Sequence, residues 1–197
     1  MNPISAPPKR VRDRALHLVA GAFLQRSLLC ALILFATETA RSAVPEAELK
    51  SVLLFHLTQF VQWPPAALRQ AFAIGVLGPD EFGPALDQAV GNEQIAGKPI
   101  QVRHGSTASE LAGCQIIYVS SEARQSMPQI RAELGPTPAL LVGESADFLA
   151  EGGMIRFALT NSRKIQLEVQ LDHLRSAGLS ISAQLLRVCV VQGSSAR

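Results

Sequence analysis

The stretch that most constrains the fold is residues 152–190, GGMIRFALTNSRKIQLEVQLDHLRSAGLSISAQLLRVCV. Ile155, Phe157 and Leu159 alternate with Met154, Arg156 and Ala158. Further on, Ile165, Leu167, Val169 and Leu171 alternate with Lys164, Gln166, Glu168 and Gln170. Two period-two runs parted by a short polar stretch predict a β-hairpin. Placing both apolar sets on one face favours a loop of Asn161 to Arg163, with Thr160 opposite Lys164. That register sets Phe157 opposite Leu167 and Arg156 opposite Glu168, apolar on one face and charged on the other. An antiparallel ribbon of this kind packs one face and wets the other. What the wet face touches is the functional question.

Upstream, Leu49, Val52, Leu53, Leu57, Phe60 and Val61 fall at helical spacing, with Glu46 and Glu48 suited to a first turn. This predicts a helix from Glu46 with those residues inward, ended by Trp63-Pro64-Pro65. Trp63 reads either as core packing beside Phe60 or as an anchor for a partner, and His56 as a structural histidine near the stripe. Ala71–Leu77, Gln115–Ser120 and Pro138–Gly143 are apolar runs typical of strands covered on both faces, and Gly97–His104 is a short alternating strand. Helical segments are expected around Phe82, Leu86 and Val90, and at Ser109–Gly113. A helix capped by Ser121 and kinked at Pro128 should follow, then one starting at Ser145, a short one around Leu174, and a last one capped by Ser182 and reaching Cys189. The expected fold is α/β: a three-layer sandwich with a mixed six-stranded sheet, a parallel core, a C-terminal antiparallel hairpin, and helices on both faces.

The formal charge of +2 misplaces the basic character. Residues 1–42 hold six of the eighteen Lys/Arg but only two acids, Asp13 and Glu38. The remainder has twelve bases against fourteen acids, so no basic stripe remains to hold a phosphate backbone, and nucleic acid is not an expected partner. The basic segment ends at Arg26, the apolar run Ser27–Ala36 follows, and Ala40 and Ser42 fit a small-x-small cleavage rule. That run is about half the ~20 residues a membrane span needs. Residues 1–42 are therefore expected to be a cleaved export signal, with an uncleaved anchor as the alternative. Residues 43–192 form the α/β domain and 193–197 a disordered tail. In a periplasm Cys114 and Cys189 either pair or stay as free thiols.

Chemistry is scarce. His56, His104 and His173 lie in different elements, the segment Val142–Ala146 lacks the second glycine of a nucleophile elbow, and no Cys/His spacing suits a metal. Glu144 and Asp147 read as first-turn charges. No enzyme activity, metal or cofactor is expected. A small-ligand crevice near Gly78-Pro79 and Gly143-Glu144 remains the alternative function.

Several segments in order carry a family likeness: FHLTQFVQWP (Phe55–Pro64), IGVLG (Ile74–Gly78), GKPIQVRH, CQIIYVS (Cys114–Ser120), and KIQLEVQLD with AGLSISAQLLRV. Together they resemble the YfiR-like periplasmic proteins. The resemblance implies a mixed sheet flanked by helices. It also implies a regulator that binds the periplasmic part of an inner-membrane signalling protein, typically a diguanylate cyclase, and lowers cyclic-di-GMP output. A competing outer-membrane lipoprotein and a homodimer are further partners it suggests. Glu168 matches the family's acidic position and is carried over as a partner contact, with Arg156, Lys164 and Gln170 beside it on the same ribbon face. The other reading of Glu168 is a cross-strand pair with Arg156. Cys114 matches one of the family's disulfide positions, but Gly75 stands where its partner would be. The second pair, around Leu149 to Arg156, has no cysteine.

Overall fold

A strand buried along its whole length, Phe72–Leu77, is the axis of the molecule. The computed structural model describes residues 45–68, 71–162 and 164–193. The expected export signal (1–42) and most of the expected tail (194–197) lie outside the described residues.

In chain order the elements begin with α1 (Glu46–Phe60), β1 (Val61–Gln62), a 3-10 turn (Pro65–Leu68), β2 (Phe72–Leu77) and α2 (Pro84–Val90). Next come β3 (Gln94–Ile95), β4 (Lys98–Gly105), a second 3-10 turn (Ala108–Leu111), β5 (Ile116–Val119), α3 (Met127–Leu134) and β6 (Leu140–Gly143). The C-terminal part holds β7 (Ile155–Leu159), β8 (Ile165–Gln170), α4 (Leu171–Ser176), β9 (Ser180–Ile181), α5 (Ala183–Leu186) and β10 (Val190–Gln192).

The main sheet has the order β10-β8-β7-β6-β5-β2-β4-β3. β4, β2, β5, β6 and β7 are mutually parallel, while β3 and β8 join antiparallel. The chain leaves β2 toward β4 on one side and returns to β5 on the other. Right-handed crossovers running in opposite directions put α2 and α3 on opposite faces, which makes three layers. On the α2 side Tyr118 meets Phe82 edge to face at 4.7 Å. On the other side Leu111 fills the space left by Gly75.

The hairpin has the expected register: Arg156 faces Glu168, Phe157 faces Leu167, and the Thr160 N–H donates to the Lys164 carbonyl at 2.9 Å. All six expected strands are present, but the sheet has eight. β3 extends the edge beside β4. β10 replaces the expected end of the last helix, which stops at Leu186, so Cys189 lies beyond it, half-buried. Val190 and Val191 favour extended backbone, and the open edge of β8 supplies a parallel partner for them. β1 and β9 form a separate antiparallel pair.

Four local expectations are corrected. Ser126, not Ser121, caps α3, in a reciprocal box with Gln129. Pro128 lies in that helix's first turn, where its missing N–H breaks no bond, so there is no kink. The chain after Ser145 is a non-helical turn that drives Phe148 between Gly143 and Gly153. A Cβ on Gly153 would fall 2.2 Å from that ring, so the glycine pair is needed for packing. His56 is exposed rather than structural.

Trp63 is buried, packs edge-on against Phe72 at 5.1 Å, and donates its indole N–H to the Gln115 carbonyl at 3.1 Å. The buried Gln115 amide accepts from the Ala73 N–H at 2.7 Å and donates to the Ala67 carbonyl at 2.8 Å, tying the Pro65–Leu68 turn to the sheet. Cys114 and Cys189 are free thiols. Burial raises both pKa values, Cys189 to about 11, and the Arg103 guanidinium only partly offsets the effect at Cys114.

Candidate docking surface

The expected inward stripe of α1 is met only in part: Leu57 and Val61 are buried and Leu53 and Phe60 pack against the core, but Leu49 and Val52 face outward. Leu54 and Leu57 are buried, but so are Lys50, Ser51 and Thr58, while Leu49 and Val52 are 38% and 43% exposed. Leu49, Val52 and Leu53 are i, i+3 and i+4 neighbours and line one outer face. Leu53 forms one wall of an open groove of about 420 Å³ whose other lining includes Ile165, Leu167 and Val188, with Lys164 at the hairpin end. Val188 is 70% exposed, and Leu159, paired with Ile165, is 58% exposed. Most single exposed apolar side chains need no explanation, whereas a run shared by a helix, a hairpin and the C-terminal segment makes this groove the candidate surface.

Beneath α1 lies the opposite chemistry. The Lys50 ammonium is 2.7 Å from a Glu46 carboxylate oxygen, 2.7 Å from Glu144 Oε1 and 3.9 Å from Glu81 Oε2. The Tyr118 hydroxyl lies between Glu144, its close partner, and Glu81 Oε2 at 3.2 Å, and the Ser120 hydroxyl donates to Glu81 Oε1 at 2.6 Å. Burial works against the charge of Lys50, but its hydrogen bonds to Glu144 and Glu46 outweigh that and raise its pKa above the ordinary lysine value. Burial, reinforced by Glu144, holds the Tyr118 proton well above the usual tyrosine range. These groups sit at the carboxyl ends of β2, β5 and β6, where the strand order reverses and an α/β sheet usually holds a ligand. Here Lys50 reaches into that place and bonds to Glu144.

The four sequence-chosen contact residues divide. Arg156 Nε donates to Glu168 Oε2 at 3.0 Å, and the pair is largely covered, with side chains 20% and 13% exposed. Gln192 of β10 donates to the same Glu168 oxygen at 3.1 Å, and Arg156 also reaches the Ala146 carbonyl. The ribbon's polar face is thus partly closed by β10, an element not expected from the sequence. Gln170 is half-buried against Gly193, and Lys164 alone borders the groove. Lys50, Glu81, Tyr118 and Ser120 were not singled out from sequence. The available signal was a helix apolar on nearly every side, a pattern that calls for contacts on more than one face.

The YfiR/HmsC-like family model matches residues 47–190, most of the chain. The chain belongs to the YfiR/HmsC-like family. Its matched segment starts in α1 and ends in β10, so both walls of the groove lie within the family domain. YfiR-like proteins are periplasmic and regulatory rather than catalytic, and they are associated with cyclic-di-GMP signalling. Among the described residues no helix is long and apolar enough to cross a membrane. No curated protein matches the chain. Among solved structures, a conserved domain protein from Vibrio cholerae O1 biovar El Tor is similar at 10% identity with a TM-score of 0.48. That match covers 77% of this chain and 62% of the other, so the chain spans less than two thirds of that protein.

Proposed function

We propose that this protein is exported, loses residues 1–42, and docks through the α1–hairpin groove onto the periplasmic part of an inner-membrane signalling protein. That partner is a diguanylate cyclase, whose cytoplasmic output the docked protein holds low. The observation that carries this reading is the exposed Leu49, Val52 and Val188 beside the half-buried Leu53 and Ile165, with Leu49 and Val52 placed outward where the helix spacing turns them inward. Restraint requires only that the inactive form of the partner bind more tightly than the active one. Lys164 borders the groove as a polar contact. Arg156, Glu168 and Gln170 support the wall behind it through the β7–β8–β10 ribbon.

The test is complementation of a deletion strain with cyclic-di-GMP as the readout. Loss of the gene should raise the nucleotide, the wild-type chain should restore it, and Val188→Glu should fail to restore it while folding normally. An unchanged nucleotide level on deletion, or full complementation by Val188→Glu together with Val52→Glu, overturns the proposal. Co-purification with an outer-membrane lipoprotein, or dimerisation lost on Val188→Glu, would assign the groove to those partners instead.

A further inference from the structure

The cluster under α1 has more carboxylates than protons and cations to serve them. Tyr118 has a single hydroxyl proton yet faces oxygens of both Glu144 and Glu81, and it can donate to only one at a time. Ser120 occupies the other oxygen of Glu81. Lys50, with a side chain only 10% exposed, is the cation shared by Glu46, Glu81 and Glu144.

Nearby charged groups on surrounding elements are engaged elsewhere or exposed. Asp80 accepts from the Phe82 and Gly83 N–H groups, and Arg156, the second residue of β7, is bonded to Glu168 and the Ala146 carbonyl. Glu48 and His56 on α1 itself, Asp87 on the α2 helix packed against it, and Asp147 and Glu151 in the turn after β6 are exposed and outside the cluster. The helix held by this cluster is the one whose outer face carries Leu49, Val52 and Leu53.

We propose that the Lys50–Glu46–Glu81–Glu144–Tyr118 cluster is an acid-operated latch that holds α1 in place, so that acidification of the compartment loosens the α1 wall of the docking groove. This regulatory role rests on the docking reading above. Glu46, Glu81 and Glu144 are the counter-charges within reach of the Lys50 ammonium, and neutral carboxyl groups in their place would no longer balance it. A covered ammonium is then left without a counter-charge, a costly state relieved when α1 swings out to water. Glu144 and Lys50 are 94 residues apart in the chain, so this contact joins α1 to the carboxyl end of β6.

The experiment is hydrogen exchange on the full chain at about pH 7.5 and about pH 3.5, on either side of the ordinary glutamate value of about 4.3. Rates are normalised to intrinsic chemistry, and β7–β8 serves as the internal reference. Residues 46–54 should lose protection about tenfold relative to the hairpin at the lower pH. Glu81→Gln with Glu144→Gln, which imitates the protonated state, should show the loosened helix already at the higher pH and little further change on acidification. Glu144→Gln alone serves as the milder variant. An α1-to-hairpin ratio equal at both pH values, or loss of protection everywhere together, overturns the latch. Because no partner enters this measurement, a docking failure in the complementation test leaves its outcome separate.

Discussion

The β7–β8 hairpin and helix α1 are both rich in apolar residues, yet only the hairpin arranges them as its pattern dictates. In the ribbon, successive side chains have two faces to choose from, and Ile155, Phe157, Leu167 and Val169 take the buried one, with only the tip pair Leu159 and Ile165 left partly in water. On α1 apolar residues surround most of the circumference, so the pattern offers no single inward direction. Long-range bonds decide instead: Lys50 is drawn in by Glu144 and Glu81, and Leu49 and Val52 are left in water. An element with a one-sided pattern is oriented by burial, whereas one with an all-round pattern is oriented by its few polar partners.

The largest effect should come from the ribbon. Phe157, 3% exposed and facing Leu167, should cost about 3–5 kcal/mol on Phe157→Ala, measured as a lower urea midpoint with unchanged slope. A change below about 1 kcal/mol would mean that burial is not what orients the hairpin.

Next is a covalent staple on the sheet between the two regions. A Cβ on Gly75 would stand 3.2 Å from the Cys114 sulfur, close enough for a disulfide, although Leu111 must yield at 3.1 Å. Gly75→Cys should oxidise to an intramolecular disulfide, seen as a two-hydrogen mass loss, and stabilise the protein by roughly 2–4 kcal/mol relative to its reduced form. This would restore the pairing that the family resemblance implies and that glycine prevents here.

Lys50→Met should cost about 2 kcal/mol. Its three acids lose their cation, but Glu46 and Glu81 can turn to water, so the loss falls below that of a fully enclosed pair. Lys50→Met with Glu144→Gln should recover part of the loss. Independent effects of the two changes in that double-mutant cycle would show that this pair does not orient α1.

Alkaline pH should weaken the fold gradually. The neutral Cys189 thiol and the charged Lys50 are both favoured in the folded chain, because their pKa values are raised there. The Cys189 contribution is therefore complete below its ordinary value of 9.0 and is lost as the pH rises through about 11. Urea midpoints should fall over that window, and less steeply in Cys189→Ala. Smallest of all, Val188→Glu should alter stability by no more than about 0.5 kcal/mol, because the side chain is already 70% exposed, while abolishing docking.

Much of the architecture was legible in the sequence because strand signals here are local. The fully buried runs at 72–77, 116–119 and 140–143 and the alternation on both sides of Asn161 specify strand positions and one register without reference to the rest of the chain. β3 and β10 were not legible because strands of two or three residues carry no period and exist where a neighbouring edge accepts them. The candidate site was the least legible part. Val188 is an unremarkable valine until the chain places it beside Leu53 and Ile165, and Glu81 and Glu144 are ordinary loop acids until Lys50 arrives between them.

By itself, then, the amino-acid order determined the six longer strands, how the C-terminal ribbon pairs, and that the chain carries a regulatory family's signature. Only the tertiary structure decided which side of α1 faces water, that a lysine fills the crevice at the crest of the sheet, and that three separate segments meet in one groove. The reason is range: strand alternation is settled between neighbours a few residues apart, whereas a contact such as Lys50 with Glu144 exists only after the intervening sheet has formed.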